Sequence, residues 1–153
     1  MTTQTLFDLT FPVAVPFWAL MILAPGWTWT RRVLASPWVA TLPLAVYLLV
    51  ALPEFGTLWE VVSAPDLETL RTFLGTPAGA AAIWAHLISF DLFVGRWMYL
   101  DARRTGTHPL LMAPILVLTI LLSPLGLLTY LLLRTIRRTV TPGDEERRIE
   151  HAA

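Results

Sequence analysis

The chain has 153 residues, 56% of them hydrophobic and 14% charged, with eleven basic and eleven acidic side chains. A soluble domain carries roughly 25% charged residues, so a fold this small has more apolar surface than it can hide, and lipid must replace water around much of it. Zero net charge argues against a nucleic-acid partner, and the absence of cysteine removes disulfides, iron–sulfur clusters and thiol chemistry.

Four apolar stretches follow in chain order. The first covers residues 9–24 and ends at Pro25-Gly26, and the second covers residues 37–52 and ends at Pro53. The third covers residues 78–99 and the fourth residues 109–133. A spanning helix needs ~20 residues. The last two meet that length, while the first two are short and need snorkelling or local thinning. Interior prolines at 12, 16, 43, 114 and 124 are tolerated where neighbouring helices satisfy the freed carbonyls.

The one sizeable loop, residues 54–76, contains Ser63-Ala64-Pro65-Asp66, which reads as a helix start. Leu67, Leu70, Phe73 and Leu74 then repeat at helical spacing, and Gly75 and Pro77 end the segment. A short amphipathic helix is expected, lying in the membrane interface or packed over the mouth of the bundle.

The expected fold is therefore all-α: an integral membrane bundle of four transmembrane helices over residues 1–140, one interfacial helix, and a polar mobile tail over 141–153. Both termini then lie on one side. Trp27, Trp29, Trp38, Trp97 and Tyr99 fall at helix ends, as an aromatic belt would. Arg31, Arg32, Arg103 and Arg104 favour short loops in the cytoplasm, against Arg134, Arg137 and Arg138 at the other end of the fourth helix. No basic n-region or transit-peptide character marks the start, so the first apolar segment is expected to stay in the mature protein.

The third helix holds nearly all the intramembrane polarity: His86, Ser89, Asp91, Arg96 and, at its exit, Asp101. Ionisable groups at membrane depth are functional candidates, because lipid solvates them poorly. On a continuous fourth helix Thr119, Ser123, Tyr130, Arg134 and Arg137 form one polar stripe. Counting from the turn puts Asp91 level with Thr119, His86 level with Ser123, and Tyr130 and Arg134 near the far surface. Asp101, Thr119, Ser123 and Arg134 are then a structural polar network, with Thr119 the favoured partner of Asp91 and Ser123 next. Three histidines with no paired ligand spacing predict no metal, and no Gly-x-Gly-x-x-Gly turn predicts a dinucleotide cofactor. Any enzyme chemistry is expected to be redox-neutral acid–base work on a lipophilic substrate.

Three segments carry a resemblance. They are Pro16-Phe17-Trp18-Ala19-Leu20-Met21-Ile22-Leu23-Ala24-Pro25; Trp84-Ala85-His86-Leu87 with the run Phe90-Asp91-Leu92-Phe93-Val94-Gly95-Arg96-Trp97-Met98-Tyr99-Leu100-Asp101; and Ser123-Pro124-Leu125-Gly126-Leu127-Leu128. Together they resemble the plant family whose loss causes abscisic acid deficiency, associated with neoxanthin synthase, and its bacterial relatives. Ser123 stands where the family pattern has Gly, and the second helix carries no matching motif. The resemblance implies a carotenoid substrate class and, in plants, the redox-neutral conversion of violaxanthin to neoxanthin.

Two readings follow. The first is a carotenoid-related membrane protein, either an isomerase-like enzyme or a carotenoid binder, in a bacterial inner or photosynthetic membrane. Its partners are lipid and a carotenoid or other lipophilic pigment. Asp91 is then the candidate acid and Arg96 positions the substrate or tunes that acid, with Trp18, Trp84, His86, Phe93 and Tyr130 as candidate substrate-binding residues. The second is a non-catalytic subunit of a larger membrane pigment–protein complex.

Overall fold

The computed structural model describes residues 1–140, with side chains through Arg137. The expected polar tail, 141–153, lies outside the described residues. The described chain is all helical: α1 Thr3–Leu23, α2 Thr28–Ala35, a 3-10 turn Pro37–Ala40, α3 Thr41–Ala51, α4 Phe55–Ser63, α5 Leu67–Leu74, α6 Pro77–Arg104, α7 Pro109–Leu121 and α8 Ser123–Val140.

Among the described residues, only α1 and α6 are single helices long and apolar enough to cross a membrane. A third crossing comes from α2 and the Pro37–Ala51 segment if that pair, bent by 76°, is one span. The bend follows from Ser36-Pro37: the residue before proline is pushed out of the helical region, and Ser36 is extended at ψ 126°.

The core forms where α6 meets α1 and α3. Small residues of α6 (Ala81, Ala82, Ala85) are fully covered and let the backbones approach, as membrane helices require. Gly95 is one such close approach. A methyl added there would run into the six-membered ring of Trp18 on α1. Gly95→Ala is therefore expected to cost about 1–3 kcal/mol of stability, relieved by pairing it with Trp18→Leu. Thermal unfolding of the two single variants and the double tests this, and strictly additive losses would contradict it.

The fourth apolar segment is not one helix, so the described residues hold two single-helix spans, or three with the bent pair, beside the four expected. It breaks at Leu122, whose φ of −147° and ψ of 72° are non-helical, because Pro124 cannot donate to the turn before it. Pro124 then sits at the second position of α8, where no intrahelical donor is needed. Gly126 packs directly on the backbone of Thr119, seven residues earlier, which in a continuous helix would lie roughly 10 Å away along the axis. The two helices thus fold into a hairpin. Arg137 donates to the Gly106 carbonyl, so α8 returns to the turn from which α7 started.

The side on which α6 ends is called here the exit side, and the side on which it begins the entry side. Tyr99 near the end of α6 bonds Pro25, so α1 also ends on the exit side. Val46 and Val50 of α3 and Leu6 of α1 share a cluster with Ala81 and Ala82 of α6, so α3 ends and α1 begins on the entry side. With the bent pair taken as a third span, three crossings followed by a hairpin leave Thr3 and Val140 on opposite sides, against the expectation of termini together.

On the entry side α5 forms as expected, but from Asp66 and not Ser63. Asp66 accepts from the N–H groups of Glu68 and Thr69 at 3.1 and 3.0 Å. Hydrogen bonds from Thr69 hold its carboxyl below the usual carboxylate range. Ser63 ends α4, a helix absent from the sequence reading. Of the apolar stripe, Phe73 is buried while Leu67 is 81% exposed.

Candidate functional site

The polar side chains of α6 part company in the structure. Asp101, in its last turn, is clasped by α8: the Tyr130 hydroxyl donates to Oδ2 at 2.6 Å and Arg134 Nη2 donates to Oδ1 at 3.1 Å. Arg134 Nε lies 2.7 Å from Oδ2, an ion-pair contact without hydrogen-bond alignment. Tyr130 and Arg134 are therefore not at the far surface. The hairpin carries them back to the level of Asp101, which a continuous helix could not do.

Asp91 sits halfway along the 28-residue α6. Ser123, at the tip of the α7–α8 hairpin, is the polar side chain that lies beside it. The depths agree: 13 residues separate Asp91 from the end of α6, and α7 is 13 residues long. Thr119, the partner favoured on sequence, instead donates to the Ile115 carbonyl at 2.8 Å and touches Met98 sulfur at 3.9 Å. Its hydroxyl is satisfied within its own helix.

Arg96 faces away from Asp91. Its Nε and Nη2 donate to the Leu34 and Ala35 carbonyls at 2.7 and 2.8 Å. Those are end carbonyls of α2 that no helical turn follows, so Arg96 pins the 76° bend between α2 and the following segment. Ser89 donates to Ala85 one turn back.

The candidate lining residues divide as well. Trp18 is buried at the α1–α6 interface under Gly95. Trp84 packs on Phe7 of α1, ring centroids 5.8 Å apart. His86 and Phe93 lie on another side of α6, and there they join Phe90 and Trp97, which sequence reasoning passed over. Spacings of four, three and four put these four rings within about 60° of one another around the helix. Phe90, Phe93 and Trp97 are 59%, 50% and 38% exposed. His86 stacks on Phe90 at 5.1 Å and meets Tyr47 of α3 edge-on at 5.7 Å, while Trp97 meets Tyr130 of α8 edge-on at 5.7 Å. The stripe is thus the floor of a groove with α3 on one side and α8 on the other.

At the entry-side end the groove opens into a cavity of about 210 Å³ beneath α4 and α5. Val61, Phe73, Leu74 and Ile83 line it, with Tyr47 and His86 as its two polar side chains. At the exit-side end stands the Asp101–Tyr130–Arg134 clasp, with the Arg134 guanidinium 6.0 Å from the Trp97 ring centroid. The site is an aromatic track closed by a polar group at either end.

Comparison with known proteins agrees with the sequence resemblance. The profile of the ABA DEFICIENT 4-like family matches residues 5–130. Protein ABA DEFICIENT 4, chloroplastic, of Arabidopsis thaliana is 30% identical over 109 residues, covering 65% of this chain and 50% of that protein. The chain thus spans about half the length of this curated relative. No solved structure matches. The match over residues 5–130 takes in the α1–α6 interface, the hairpin tip and the aromatic track together, and on it the chain belongs to the ABA DEFICIENT 4-like family.

Proposed function

We propose that this protein holds a carotenoid in the membrane, with the polyene laid along the α6 track and one terminal ring in the cavity beneath α4 and α5. The observation that carries this reading is the uncovered row His86, Phe90, Phe93 and Trp97 between α3 and α8. A flat conjugated chain gains from stacked and edge-on aromatic contacts beyond what acyl chains gain. From His86 to Asp101 the track is roughly 22 Å long, comparable with the ~30 Å hydrocarbon core that a carotenoid spans. Membership of the ABA DEFICIENT 4-like family supports carotenoids as the ligand class.

An isomerase-like activity is the second form of this reading, with Asp91 as the acid. Asp91 lies about 100° around α6 from Phe90 and is engaged by Ser123, which favours a structural role for it and binding over conversion. Arg96, bonded to α2, positions a helix end on this reading.

The test is expression in a carotenoid-producing host and quantitation of pigment retained through purification. The wild type is expected to retain pigment, and the Phe90→Ala/Phe93→Ala double variant to lose most of it. Phe7→Ala, on another side of α6, should retain it. Equal retention by the double variant would overturn the track. Altered pigment composition that Asp91→Asn abolishes would replace binding with catalysis. Recovery of pigment only alongside other membrane subunits would favour the complex-subunit reading.

A further inference from the structure

Once the chain is traced through the hairpin, its arginines are unevenly placed. Arg31 and Arg32 on α2, Arg103 and Arg104 at the end of α6, and Arg134 and Arg137 on α8 all lie on the exit side. On the entry side Arg71 is paired with Glu68 at 2.6 Å, beside Glu54, Glu60 and Asp66. Several of the exit-side cations are engaged. Arg134 is held by Asp101, Arg137 by the Gly106 carbonyl, and Arg32 lies over the Trp29 ring at 5.4 Å.

Arg31 and Arg103 are different. Both line one cleft of about 110 Å³, completed by Pro25, Gly26, Trp27 and Thr28. Neither makes an ion pair with any carboxylate among the described residues. The cleft is built, not incidental. Its floor is the α1–α2 turn, tied to α6 by the Tyr99 hydroxyl, which donates to the Pro25 carbonyl at 2.8 Å, and both guanidinium groups act electrostatically on that tyrosine. Two cations sharing one cleft repel each other unless an anion lies between them. Guanidinium groups match tetrahedral oxyanions better than any other side chain does.

We infer that the Arg31–Arg103 cleft binds the phosphate of an anionic phospholipid. The lipid source, and not free phosphate, follows from the cleft's place in the membrane. Trp27 at its rim is 55% exposed, and Trp29 and Trp38 are exposed on the same surface, as interfacial anchors are. An ion seated there lies at headgroup depth with an apolar rim for the acyl chains. The inference is independent of any carotenoid in the α6 track, because no residue that lines the cleft belongs to the track.

The experiment uses the full chain in neutral detergent, with native mass spectrometry and thermal shift against added phosphatidylglycerol, phosphatidylcholine or inorganic phosphate. Phosphatidylglycerol is expected to bind roughly thirtyfold more tightly than phosphatidylcholine, the effect of two arginines at an anionic surface. Arg31→Gln/Arg103→Gln should abolish that preference, and Arg32→Gln/Arg104→Gln should keep it. Equal loss in the two double variants would reduce the effect to a diffuse positive face and overturn the cleft. Inorganic phosphate giving the same stabilisation at the same concentration would overturn the lipid as occupant. So would lipid binding that emerged only after Asp144, Glu145 and Glu146 were neutralised, since this chain's own acidic run would then be the occupant.

Discussion

Replacing Asp101 with leucine is expected to lower stability by about 3 kcal/mol, a larger effect than any other single polar substitution on α6. The carboxylate takes the Tyr130 hydroxyl and the Arg134 guanidinium together, and both side chains of the ion pair are mostly covered, 15% and 26% exposed. Its loss leaves a sheltered cation without a counter-charge and strands a hydroxyl whose residue is 1% exposed. Asp101→Asn keeps hydrogen-bonding capacity and removes only the charge, so a smaller loss is expected. Tyr130→Phe deletes one hydrogen bond and should cost about 1–2 kcal/mol. Thermal or denaturant unfolding in a fixed detergent gives the ranking. If leucine at 101 were tolerated as well as asparagine, the clasp would contribute little, and the return of α8 would rest on apolar packing alone.

Side-specific labelling should show the α7–α8 hairpin most directly. Single cysteines at Gly106 and Arg137 are expected to react from the same side of the membrane, and cysteines at Gly56 and Leu67 from the other. A continuous fourth helix would separate positions 106 and 137 by roughly 45 Å and put them on opposite sides. That labelling pattern would refute the hairpin. Gly126→Val probes the same feature energetically. Its branched side chain meets the Thr119 backbone, which has no rotamer to move, so a loss of about 3 kcal/mol is expected.

The sequence was most readable where composition decides the outcome. The apolar run of α6 located a long span, and the spacing of Leu67, Leu70, Phe73 and Leu74 located α5. Hydropathy failed at residues 109–133, because an apolar hairpin and an apolar span have the same composition. The missed signal was local: Ser36-Pro37, Thr76-Pro77 and His108-Pro109 each open a helical segment, and Ser123-Pro124 has the same form. Reading it as a start would have moved Tyr130 and Arg134 to Asp101 and replaced Thr119 by Ser123 beside Asp91. The aromatic track was also readable, since positions 86, 90, 93 and 97 are helically spaced. Reading the third helix for its polar residues obscured it. The acceptors of Arg96 carried no sequence signal, because they are backbone carbonyls 61 and 62 residues away.

The hairpin stops at the depth of Asp91, so the protein is not the same width throughout the bilayer. With α1, the bent α2–α3 pair and α6 taken as spans, α1, α3, α6, α7 and α8 all occupy area in the exit-side leaflet, whereas among the described spanning helices α1, α3 and α6 continue through the other. Acyl chains of the opposite leaflet must fill the volume below the tip. So placed, the spanning helices are broader on the exit side, while α4 and α5 cap the entry side, and each copy expands the exit-side monolayer relative to its counterpart. Lateral pressure in the bilayer therefore acts on the hairpin itself. Cone-shaped lipids in the narrower leaflet relieve the packing demand beneath Ser123, and a membrane bowed towards the exit side accommodates the protein at lower elastic cost than a flat one.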